Sequence, residues 1–216
     1  MKLEDIDTED IEDVIGKMGR SFNIEFLPNE LKGTKTFGEL CDRIMAKIDL
    51  ESRDDCTSQQ AFYKLRDAFG QISGGNKDIT LDNELAVLFP WKNRRRKIKE
   101  LEKHLGFRIE VLRPSFFVSG LIVLLFIGSI IYLFIDWKVG LLGLSIFFIF
   151  SFMAPTFGKR FKVKSLGQLV DKMSEENYLD SRRDINAINK QEAIEKIRAL
   201  FIRELDLTEL GPSSKL

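Results

Sequence analysis

The longest uninterrupted apolar run is Phe116 to Ile135, "FFVSGLIVLLFIGSIIYLFI", twenty residues without a charge. At about 1.5 Å per residue, such a helix reaches roughly 30 Å, the thickness of a bilayer's hydrocarbon core. After Asp136, Trp137 and Lys138 a second uncharged run, Val139 to Ala154, predicts a returning helix, and Trp137 at its head makes it just long enough to cross. Neither run has a polar face, which soluble helices of this length rarely lack. The pattern therefore predicts a transmembrane helical hairpin over 116–154. A three-residue link makes it tight and antiparallel, with Tyr132 and Trp137 at the membrane interface. Gly120, Gly128, Gly140 and Gly143 are candidates for close helix packing. No charge inside either run marks a proton relay or a transport path, so the hairpin reads as an anchor.

Elsewhere the apolar positions follow a helical period. Ala61, Phe62, Leu65, Ala68 and Phe69 share one face. Helices are expected over 7–20, 36–48, 57–70, 91–105, 165–176 and 190–205, and the fold class is all-α. Pro90 and Trp91 suit a helix start. A helix of about fifteen residues is marginal without tertiary packing, so the C-terminal helix is expected to dock on the N-terminal pair. Closure within one chain is favoured over exchange in a domain-swapped homodimer.

The polar segments also repeat. "TKTFGELCDRIM" (Thr34 to Met45) matches "VKSLGQLVDKMS" (Val163 to Ser174), with Thr36 and Ser165 as N-caps and Glu39 and Gln168 completing capping boxes. "TSQQAFYKLRDAF" (Thr57 to Phe69) matches "NKQEAIEKIRALF" (Asn189 to Phe201). One copy of the duplicated unit runs in order and is interrupted by the hairpin. The other is out of order: its first helix lies at the far C-terminus, and the turn Gly211-Pro212-Ser213-Ser214 leads back toward residue 1. The expected domains are 1–48 with 189–216, 57–114 with 161–177, and the hairpin at 116–154.

"SFNIEFLPNELKGTKTFGELCDRI" (Ser21 to Ile44), "LGFRIEVLRP" and "KSLGQLVDKM" carry a resemblance to the acyl carrier protein family. The resemblance covers nearly all of the chain outside the hairpin. It implies two small acyl-carrier-like helical bundles, one circularly permuted across the termini, and a link to lipid or acyl-group metabolism. The family attaches phosphopantetheine to a serine at the head of its second helix. Here that position falls on Asp7-Thr8-Glu9 in one copy and on Pro90-Trp91-Lys92 in the other, so no cofactor is expected. An unusual carrier using Thr8 is the alternative, and Trp91 cannot be modified.

Charge separates the copies. Glu4, Asp5, Asp7, Glu9, Asp10, Glu12 and Asp13 make the head of one acidic; Lys92, Arg94, Arg95, Arg96, Lys97 and Lys99 make the other basic. Acidic residues at a helix start suit its dipole. The basic run has three readings: a solvated face, a surface for anionic lipid, where each Lys or Arg contributes about 1 kcal/mol, or a surface for a protein partner such as the acidic helix. It lacks interleaved aromatics and a nucleic-acid motif, so nucleic acid is not expected.

Arg108 and Arg113 precede the hairpin, and Lys159, Arg160, Lys162 and Lys164 follow it. Positive flanks stay inside, so both termini are expected on the cytoplasmic side of an inner or plasma membrane. "MKLEDIDTED" lacks the basic-then-apolar order of a signal peptide. Cys41 and Cys56 read as reduced thiols, too few for a disulfide framework or zinc site. His104 is the single histidine and reads as an exposed residue near a helix C-terminus. No catalytic or metal constellation is found, and no P-loop. The expectation is a non-catalytic membrane-anchored scaffold or adaptor with a protein partner, or, alternatively, a structural subunit of a membrane complex.

Overall fold

The computed structural model describes residues 6–27, 30–31, 33–154 and 158–215. It is mostly helical. The order is α1 (Thr8–Ser21), α2 (Phe37–Lys47), β1 (Glu51–Ser52), α3 (Thr57–Ile72), α4 (Leu85–Leu88), α5 (Arg94–Leu105), β2 (Leu112–Arg113), α6 (Phe116–Ile135), α7 (Trp137–Met153), β3 (Arg160–Phe161), α8 (Leu166–Glu176), α9 (Tyr178–Ser181), β4 (Ala187–Ile188) and α10 (Lys190–Glu204). The two-residue strands were not expected. β1 pairs in parallel with β4, and β2 pairs antiparallel with β3.

Two compact units are present. The first takes residues 1–80, 102–109 and 167–216; the second takes 81–101 and 110–166. This division follows contact in space and groups α3 and most of α8 with α1, α2 and α10.

In the first unit, local chemistry starts the helices. Asp7 caps α1 by accepting from the Glu9 N–H at 3.2 Å. Thr36 caps α2 through the Glu39 N–H at 3.3 Å, while the Glu39 carboxylate accepts from Lys35 N–H, one residue outside the reciprocal box. Asn189 caps α10. The apolar stripes then meet: Val14, Met18, Phe37, Leu40, Ile44, Ile197, Leu200 and Phe201 share one buried cluster. Phe37 and Phe201 pack edge to face with centroids 5.4 Å apart. A Lys17–Glu204 ion pair joins α1 to α10.

A helix start leaves backbone N–H groups without intrahelical partners. The C-terminal loop satisfies two of them at α2: Ser214 O accepts from Phe37 N–H at 2.9 Å and Pro212 O from Gly38 N–H at 2.8 Å. A Cβ at residue 38 would stand 3.0 Å from Pro212 O, a tight contact that favours glycine there. In the second unit, Asn83 O accepts from Leu166 N–H at 2.9 Å and Lys164 O from Leu85 N–H at 3.0 Å.

The expected helix from 91 starts later. Pro90 to Asn93 form a turn, with Asn93 N–H on Pro90 O, and α5 begins at Arg94. Gly106 at φ +87° ends α5, its N–H returning to Glu102 O.

Candidate functional site

The second unit contains the apolar hairpin. α6 is the one helix among the described residues long and apolar enough to cross a membrane; α7, at 17 residues, is shorter. Asp136 alone joins them, being the C-cap of α6 and the N-cap of α7, where it accepts from Lys138 N–H. Trp137 and Lys138 belong to the first turn of α7 instead of the link.

The outward surface is apolar: Phe117, Phe134 and Phe152 are 91 %, 88 % and 87 % exposed. Such a surface is far larger than a soluble monomer ordinarily leaves in water. The inner surface is close-packed at two glycines only. A Cβ on Gly140 would stand 2.6 Å from Leu133 N, and one on Gly143 would collide with Ser129 Oγ. Gly120 and Gly128, also expected at the crossing, face open space; α6 instead offers Ser129 and Leu133 to α7. Phe126 and Phe147 meet across the hairpin at 4.9 Å.

The basic run divides. Lys92, Arg96 and Lys99 are exposed, and Arg95 and Lys97 half-buried. Arg94 is not on that surface: it is 7 % exposed, donates from Nε to Phe89 O and from Nη1 to Lys159 O, both at 2.8 Å, and stacks 4.4 Å from the Phe161 centroid. Burial pushes its guanidinium below the usual arginine range. The apolar ring and two carbonyls make Arg94 a structural pin, a role that a run of like charges conceals in the sequence. Arg96 pairs with Glu100 at 3.7 Å. Trp91 is half-exposed, with the Arg94 guanidinium 5.3 Å and the Lys159 ammonium 5.9 Å from its ring.

In the first unit Asp7, Glu9, Asp10, Glu12 and Asp13 are all exposed, and Asp5 lies outside the described residues. Thr8, the first residue of α1, is exposed. His104 is exposed in the last turn of α5. Among the described residues, no group of His, Cys, Asp and Glu is placed to hold a metal ion. Cys41 is buried and Cys56 exposed, and both are free.

A polar joint was missed from the sequence. Arg182, fully buried, donates to Thr57 Oγ1 at 2.6 Å and pairs with Asp55. Asp55 is desolvated, yet Arg182 outweighs that and holds its carboxyl below the usual range. Beside them Glu192 accepts from the Thr57 and Ser58 N–H groups, capping α3 from α10. The signal was thin: nothing in "SRRD" marks Arg182 as interior, and its partners Asp55 and Thr57 lie more than 120 residues away.

Comparison with known protein families, curated proteins and solved structures finds no match to this chain.

Proposed function

We propose that the chain is a non-catalytic, membrane-anchored helical scaffold that presents two carrier-like bundles at the cytoplasmic face and recruits a protein partner. The observation that carries this reading is the hairpin surface, which exposes large apolar side chains along both helices and is joined by a single residue. With α6 spanning, α7 returns at about 26 Å of helix, short of a full crossing unless flanking residues snorkel or the bilayer thins. The basic flanks support an orientation with both termini inside.

The duplication is supported by a recurring hydrogen-bond register. Ser214 O meets the first N–H of α2, and Asn83 O meets the first N–H of α8. In each case an antiparallel bridge lies alongside, Thr36 with Lys215 and Ser165 with Glu84. Thr36 and Ser165 are the residues matched in the repeat, and so are Phe37 and Leu166. The link to lipid or acyl-group metabolism rests on the family resemblance alone.

Purification from the native membrane in a gentle detergent, with mass spectrometry of whatever accompanies the protein, tests this. A stoichiometric protein partner is expected. Recovery of the chain alone refutes recruitment, and an added mass of a few hundred daltons on Thr8 would favour a carrier instead. Extraction by alkaline carbonate would refute the anchor.

A further inference from the structure

Among the described residues, the base of the hairpin carries positive charge that no carboxylate pairs. β2 and β3, which flank α6 and α7, pair so that Arg113 and Arg160 stand directly opposite each other. Directly opposite residues of an antiparallel pair share one face, where like charges repel. Among the described residues, neither arginine forms an ion pair with a carboxylate, nor does Lys159 between α7 and β3. The Arg160 guanidinium lies 3.9 Å from the ring centroid of Phe116, the first residue of α6. The Lys159 ammonium lies 5.9 Å from the ring centroid of Trp91, which is half-exposed. Two arginines, a lysine and an exposed indole are thus linked, by strand pairing, chain adjacency and ring contacts, to the point where the apolar helix begins.

We propose that this cluster, Arg113, Arg160, Lys159 and Trp91, is a headgroup site for an anionic phospholipid of the leaflet the hairpin enters. The proposal rests on the membrane reading above. The occupant follows from continuity and charge. α6 would carry its first turn into the acyl region, which leaves the facing arginines at phosphate depth. Guanidinium groups bind phosphate oxygens in pairs, and such an anion removes the repulsion between them. Trp91 has the apolar body and N–H tip that favour the headgroup level, and its ring is held there from behind by buried Arg94. Trp91 thus serves as an interfacial anchor.

The chain has two tryptophans, so each can be watched alone. Full-length Trp137→Phe reports Trp91 and Trp91→Phe reports Trp137, both in nanodiscs of phosphatidylcholine containing lipid brominated just below the headgroup. The expected result is strong quenching of both. Retained lipid, measured by mass spectrometry from discs of mixed phosphatidylglycerol and phosphatidylcholine, should be enriched in phosphatidylglycerol. Arg113→Gln with Arg160→Gln should lower that enrichment roughly ten- to thirty-fold, with Trp137 quenching unchanged. Quenching of Trp137 but not Trp91, or enrichment indifferent to the two arginines, overturns this site and leaves the anchor standing. Quenching of neither overturns the membrane reading itself.

Discussion

Phe201→Ala tests how the C-terminal helix completes the first unit. Phe201 is fully buried and meets Phe37 edge to face, so the substitution removes a ring from a core that includes α1, α2 and α10. Truncating a buried Phe costs about 3–5 kcal/mol, of which roughly 0.5–1.5 belongs to the ring pair. Against a domain stability of about 5–15 kcal/mol that is a large fraction. Hydrogen exchange on the full chain in detergent resolves it by element. A loss of 3 kcal/mol accelerates exchange through unfolding by about two orders of magnitude. That acceleration should reach α1 and α2 as well as α10, because the three share one buried cluster. Combining Phe201→Ala with Phe37→Ala should show a coupling of about 1 kcal/mol. Faster exchange confined to α10, with α1 and α2 unchanged, would refute the shared core. Ten-fold dilution should leave every rate unchanged; rates in α1 and α2 that rise on dilution would mean a second chain supplies α10.

Three further outcomes are expected. Gly140→Val forces α6 and α7 apart, because its Cβ meets the Leu133 backbone; it should cost about 1–3 kcal/mol and lower Tm in detergent by several degrees, whereas Gly120→Ala, facing open space, should not lower it. Asp55→Ala leaves the buried Arg182 guanidinium without its counter-charge; since the Asp55 side chain is 43 % exposed, about 2–3 kcal/mol is expected, more than for Arg182→Met, and equal losses in urea unfolding would contradict the assignment. Burial pushes the Cys41 thiol from 9.0 up to about 11, so between those values the native state keeps a proton that the unfolded chain releases. Stability should therefore fall as pH rises through that window, by about 2–3 kcal/mol in all, and the fall should be missing from Cys41→Ala.

Much of this architecture was legible in the residues because it rests on local pattern. The twenty uncharged residues of α6 need no context to be read, and neither does the cap Thr36, whose side chain reaches a backbone N–H three residues away. Sequence alone also placed the apolar stripe of α3 and the acids of α1. Tertiary structure decided the rest. Whether a glycine lets two helices close depends on what faces it, so Gly140 and Gly143 serve the hairpin and Gly120 and Gly128 do not. Charge type is local but burial is not: Arg94 sits in a run for which a solvated face is one reading, yet the carbonyls of Phe89 and Lys159 take it inside, and Asp55 and Thr57 do the same for Arg182. The facing of Arg113 and Arg160 belongs to the same class. Sequence order shows only basic residues on either side of an apolar stretch; strand pairing sets Arg113 and Arg160 opposite one another, because a helical hairpin returns its two ends to the same place.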